Sequence, residues 1–155
     1  MEIAQNAFYL PVEDGRCFCV WRRPRDPGDL RGTILHLPAF AEEMNKARRM
    51  TALAARRFAA SGYGVLQIDP LGCGDSSGDF ADATLSKWTE NCLRGAQWIR
   101  SQSASDVWLW ALRAGALLVS PLLSRLPSRA NVLLWQPVVS GTQFLVDGAP
   151  VVPQG

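Results

Sequence analysis

Histidine is almost absent: His36 is the only one in 155 residues, which leaves any acid–base mechanism a single imidazole. Long apolar runs are absent too. The longest, such as Val107 to Leu112 and Ala114 to Val119, fall far short of the roughly 20 residues a membrane-spanning helix requires. Charge of one sign is scarce. Sixteen Lys plus Arg against fourteen Asp plus Glu leave +2, so no broad basic field is available and nucleic acid is not an expected partner. The first residues, Met1-Glu2-Ile3-Ala4-Gln5, carry an acid where an export signal would carry Lys or Arg, and no apolar stretch precedes Pro11. The four cysteines (Cys17, Cys19, Cys73, Cys92) form no CxxC pair, so buried reduced thiols in a cytoplasmic protein are expected, with no metal and no cofactor.

What is present is a core-forming composition, 48% hydrophobic and 19% charged, on a chain of the length of one domain. Short β-rich runs alternate with helical patterns, which predicts an α/β fold: a central, mostly parallel sheet with flanking helices. Cys17 to Trp21 is the first clear strand, closed by the turn-rich cluster Pro24 to Asp29. Thr33 to Leu37 is the second, near enough to pair with the first as an edge hairpin. From Asn45, the residues Ala47, Met50, Leu53, Ala54 and Phe58 recur at spacings of three and four, marking the inner face of a helix, with Arg48, Arg49, Arg56 and Arg57 directed elsewhere. Gly62 suits the left-handed cap of that helix, and Gly64 to Asp69 reads as a buried strand. Thr84 should cap a second helix whose inner face is Leu85, Trp88, Cys92, Ala96 and Ile99. Asp106 to Ala111 is a strand, Ala116 to Leu126 a helix that Pro121 kinks or restarts, and Asn131 to Trp135 the last strand. Residues 138 to 155 read as a loop-like tail, and the architecture is expected to break off with an open sheet edge that suits a protein partner.

Three loops follow strand ends, where doubly wound sheets place their sites. They are His36-Leu37-Pro38-Ala39-Phe40, then Asp69-Pro70-Leu71-Gly72-Cys73-Gly74-Asp75-Ser76, then Ala111-Leu112-Arg113-Ala114-Gly115. The first is placed to offer backbone amides to an oxyanion, the last to turn sharply from strand to helix. Gly72-Cys73-Gly74 is not a dinucleotide loop, because that pattern would need glycine at Ser77.

Taken together, these three blocks resemble the N-terminal part of an α/β-hydrolase. More narrowly, His36 to Met50, Gly72 to Phe80 and Leu133 to Val138 resemble the exosortase A system-associated hydrolases of the hydrolase 2 type. The resemblance implies hydrolysis of ester or acyl bonds of a small molecule, in exopolysaccharide metabolism and in the cytoplasm. It also exposes departures. The pattern G-x-S-x-G falls on Ala111, Arg113 and Gly115, so an arginine stands where the nucleophilic serine is expected. A guanidinium has no lone pair with which to attack. No histidine follows His36, and Asp147 is the only acid after Asp106, so the chain is expected to be a partial member of its family or a catalytically inactive binding or interaction module.

The candidate site residues follow. Arg113 would hold an anion, or else pair with Asp69 or Asp75. His36 is a base or a structural hydrogen-bonder, and Cys73 is a nucleophile beside it or a core thiol. Ala39, Phe40 and Ala114 flank the oxyanion position; Asp69 would bind loop amides, and Ser76 is reactive or caps the turn that holds Asp75 or the short helix after it.

Overall fold

A computed structural model describes residues 1–141. Six strands form one sheet in the order β1-β2-β4-β3-β5-β6. The strands are β1 (Ile3–Val12), β2 (Gly15–Pro24), β3 (Gly32–Leu37), β4 (Tyr63–Ile68), β5 (Val107–Leu112) and β6 (Asn131–Trp135). The first two run antiparallel to each other, and β2 antiparallel to β4, while β4, β3, β5 and β6 are mutually parallel. The mostly parallel sheet expected from the alternation is therefore present.

Helix α1 (Glu42–Ala60) covers one face, and α2 (Leu85–Gln102) with the short α3 (Val119–Arg125) covers the other. The connection rule explains the division. The β3-α1-β4 crossover steps one way along the sheet and β4-α2-β5 the opposite way, so right-handed crossovers deposit their helices on opposite faces. Strand β3 is central and buried at every position, as a strand covered on both faces must be.

Two expectations are corrected here. The strand around Cys17 to Trp21 does not pair with Thr33 to Leu37, because β4 lies between them. Its hairpin partner is β1, which the sequence reading did not recognise: Phe8, Leu10 and Val12 alternate, but the rest of this edge strand is largely exposed and carries Pro11, which an edge tolerates. The inner face of α1 is also rotated from the expected one. Met44, Thr51, Ala55 and Ala59 are buried, whereas Met50 and Leu53 are 46% and 53% exposed.

The other elements match their signals. Gly62 caps α1 with φ +103°, and Thr84 accepts a hydrogen bond from the Lys87 amide at the start of α2. Trp88, Cys92, Ala96 and Ile99 of α2 are fully buried. Pro121 falls in the first turn of α3, after a 3-10 segment over Arg113–Leu118, where its missing N–H costs no helical bond. Of the tail read as 138 to 155, Val138 is buried against the core; residues 142–155, with Asp147, lie outside the described ones. No described helix is long and apolar enough to cross a membrane.

Candidate functional site

The strand-end loops after β3 and β5 meet at the carboxyl edge. At the end of β5 the chain turns at Arg113 with φ +50°, in the left-handed region a non-glycine residue enters at a cost, and runs directly into the 3-10 turn. The turn from strand to helix is thus sharp, and the residue at it is an arginine. Ala111 is fully buried, and Gly115 packs so closely on the loop after β3 that a Cβ there would overlap the Leu37 carbonyl oxygen and come within 2.7 Å of that of Pro38. The loop after β3 and the turn at Arg113 are thus adjacent, and Ala39, Phe40 and Ala114 within them are all buried.

Arg113 does not pair with Asp69 or Asp75. Its Nε lies 3.5 Å from Glu43 Oε2 at the start of α1, and its Nη1 donates to the Gln136 carbonyl at 3.3 Å. The Glu43 contact is electrostatic: Oε2 accepts no directed hydrogen bond although it is shielded from solvent. With both side chains about one third exposed, such a pair contributes at most about 1 kcal/mol. Glu43 and Gln136 were not among the sequence candidates. Their only signal was position, one in the first turn after the loop and the other just past the last strand.

Asp69 is held elsewhere. Its Oδ2 accepts from Arg48 Nη2 and from the Asp75 amide, each at 3.1 Å, so Arg48 faces the sheet edge rather than pointing away as its helical phase suggested. Burial pushes the Asp69 carboxyl up, and the Asp75 amide and Arg48 oppose that rise. The Asp75 side chain is exposed. Ser76 does not cap a following helix: its hydroxyl donates to the Asp69 carbonyl and accepts from the Phe18 amide at 2.7 Å. Ser77 repeats this on Arg16, so the two serines stitch the glycine loop to β2.

His36 and Cys73 are buried and not poised as a couple. The ring of His36 donates from Nδ1 to the Trp110 carbonyl at 3.0 Å and stacks on the Trp110 indole, and burial pulls its pKa down to about 4. Being a carbonyl, the Trp110 oxygen can only accept, which fixes the proton on Nδ1. Cys73 is pushed up to about 12, chiefly by burial and next by the Asp69 carboxylate. A thiol so shifted is protonated at neutral pH and a poor nucleophile. Among the described residues, no three His, Cys, Asp or Glu side chains cluster as a metal site would.

No protein-family model and no curated protein matches the chain. Solved structures do. An esterase from Pyrococcus furiosus superposes with a TM-score of 0.73 at 18% identity, covering 94% of this chain and 54% of that one. An α/β serine hydrolase homologue from Coxiella burnetii gives 0.70 at 17% identity, covering 96% and 71%. An α/β serine hydrolase without a lid from Xanthomonas campestris gives 0.68 at 18%, covering 84% and 60%. The chain therefore has the α/β-hydrolase fold, and it spans three-fifths of the length of the Xanthomonas structure and about half of the Pyrococcus one.

Proposed function

We propose that this chain is an α/β-hydrolase-fold module that binds a carboxylate-bearing acyl compound at its elbow and does not itself carry out serine hydrolysis. The observation that carries the reading is Arg113 at φ +50°, in the place from which a nucleophile would attack. The turn is kept and the attacking atom is not. Neither His36, tied to Trp110, nor Cys73, held protonated, supplies a replacement pair.

Binding is supported by what adjoins Arg113. An open apolar groove of about 410 Å³, lined by Leu117, Leu123, Leu134 and Val138 among others, begins where the Val138 amide donates to the Arg113 carbonyl. A ligand carboxylate would take over the guanidinium from the long Glu43 contact, with its acyl tail along the groove and backbone amides near Phe40 and Ala114 beside its head. Substrate class and setting follow the residue resemblance, namely an acyl or ester compound of exosortase-linked exopolysaccharide metabolism. Four buried free thiols suit the cytoplasm. The edge of β6 is where a partner strand would pair.

The test is fluorophosphonate labelling and p-nitrophenyl ester turnover, with hexanoate binding followed by calorimetry. The expected result is no labelling, no turnover, and hexanoate affinity that falls at least tenfold in Arg113→Ala. Turnover lost in Cys73→Ala and His36→Ala would instead establish a cysteine–histidine hydrolase. Equal affinity in the native chain and Arg113→Ala would remove the role given to the guanidinium.

A further inference from the structure

On its α1 face the sheet carries a polar row where a covered sheet ordinarily buries apolar residues. Gln67 of β4 is the register partner of Val20 on one side and of His36 on the other, and His36 is the partner of Trp110. Two residues along β2 from Val20 stands Arg22, only 6% exposed. Its guanidinium donates to Gln67 Oε1 and, from Nε at 2.9 Å, to Gln5 Oε1. Both partners are neutral amides. No ion pair to Arg22 exists among the described residues, and the charge acting on it is another cation, Arg56. A buried guanidinium without a counter-charge is costly, and proteins keep one mainly where an anion completes it.

The space for that anion is present. A cavity of about 260 Å³ lies between α1 and this row, lined by Arg22, Gln67, His36, Thr51, Arg48 and Asp69 among others. One water needs only roughly 10–15 Å³ of such space. Asp69 makes no ion pair with Arg22: its Oδ2 accepts from Arg48 and from the Asp75 amide, and Arg48 is the cation it pairs with. His36 lines the cavity; with its proton committed on Nδ1 to Trp110 it keeps a lone pair on Nε2, to which no hydrogen bond exists among the described residues. The cavity therefore offers one unmatched positive charge and one acceptor.

We propose that this cavity is a binding site for a small hydroxycarboxylate monoanion, its carboxylate on Arg22 and its hydroxyl donating to His36 Nε2. Within the cavity lining the charge matches a monoanion, because Arg48 and Asp69 pair and the exposed Arg56 lies outside the lining. Inorganic phosphate carries a P–OH that can donate to His36 Nε2 as well, but at neutral pH it is largely a dianion, and its second charge meets the Asp69 carboxylate. Arg113 itself does not line the cavity, which reaches the neighbouring Ala39 and Leu112.

Calorimetry on the whole chain with glycolate, acetate and inorganic phosphate tests this. Glycolate should bind saturably, acetate at least fivefold more weakly for want of the hydroxyl, and phosphate more weakly than glycolate. Arg22→Met should weaken glycolate at least tenfold, and Ala52→Leu, which fills the cavity from α1 without touching a charge, should do the same. Ala52→Leu should leave hexanoate affinity unchanged, which separates this site from the one at Arg113. Absence of saturable glycolate binding, unchanged glycolate affinity in both Arg22→Met and Ala52→Leu, or tighter binding of phosphate would each overturn the proposal.

Discussion

Gly115 and Leu37 are in contact through backbone alone: the elbow presses against the end of β3 so closely that the volume of one methyl group on Gly115 is already occupied by the Leu37 carbonyl oxygen. That contact joins the loop after β3 to the turn at Arg113. It makes residue 115 a steric requirement of the fold rather than of any reaction, because backbone cannot rotate aside as a side chain can.

Gly115→Ala should therefore destabilise the protein by about 3 kcal/mol or more, at the upper end of overpacking costs. Urea unfolding of the variant against the native chain measures this. A change below about 1 kcal/mol would mean that the loop and the elbow are not in backbone contact.

Arg113 itself pays for its position through its positive φ. Replacement by glycine relieves that strain while losing a half-exposed ion pair, so Arg113→Gly should be as stable as the native chain or slightly more so. Arg113→Val, β-branched in the same conformation, should lose about 1–3 kcal/mol. Denaturation midpoints for the two variants settle the matter, and equal values would speak against an elbow at this residue.

Burial makes His36 a source of acid sensitivity. With the folded value pulled down to about 4 from an ordinary 6.5, the unfolded chain takes up a proton first as pH falls. Stability from this group is then complete above pH 6.5 and is lost as pH drops toward 4, by about 3 kcal/mol in all. Asp69, whose carboxyl is pushed up, acts with the opposite sign and offsets part of the loss. Unfolding free energies between pH 4 and 7 should decline toward acid, and the slope should shrink in His36→Phe.

The cysteines should be silent in the native state. All four are buried, with Cys17, Cys19 and Cys73 pushed up to about 12 and Cys92 also driven upward, in each case mainly by burial. A thiol reagent at pH 8 should label none within minutes and all four once denaturant is added. Rapid native labelling of Cys73 would reopen the nucleophile reading. Above pH 9 the same thiols should weaken the fold, since only the unfolded chain ionises them freely.

Local sequence determined a good deal. The apolar period of α2, its Thr84 cap, the Gly62 stop and the boundaries of β5 and β6 are written in adjacent residues, because caps, turns and helical faces are made within a few positions. The sharp turn after β5 was legible for the same reason: the strand end, Arg113 and the small Gly115 two places beyond it are neighbours in the chain. What the tertiary structure decided are pairings between distant segments. Strand β4 enters between β2 and β3, although nearness in sequence favoured a hairpin, because a right-handed crossover through α1 returns the chain to that place. The face that α1 buries was decided by where the helix lies over the sheet. There the polar Thr51 faces the cavity, the small Ala55 packs on Ile34, Val65 and Trp110, and the larger Met50 and Leu53 stay outside. Arg22 reads in sequence as one more basic residue at the end of a strand. Only the folded sheet reveals that its charge is buried without an acid, since burial and partnership depend on residues up to 45 positions away.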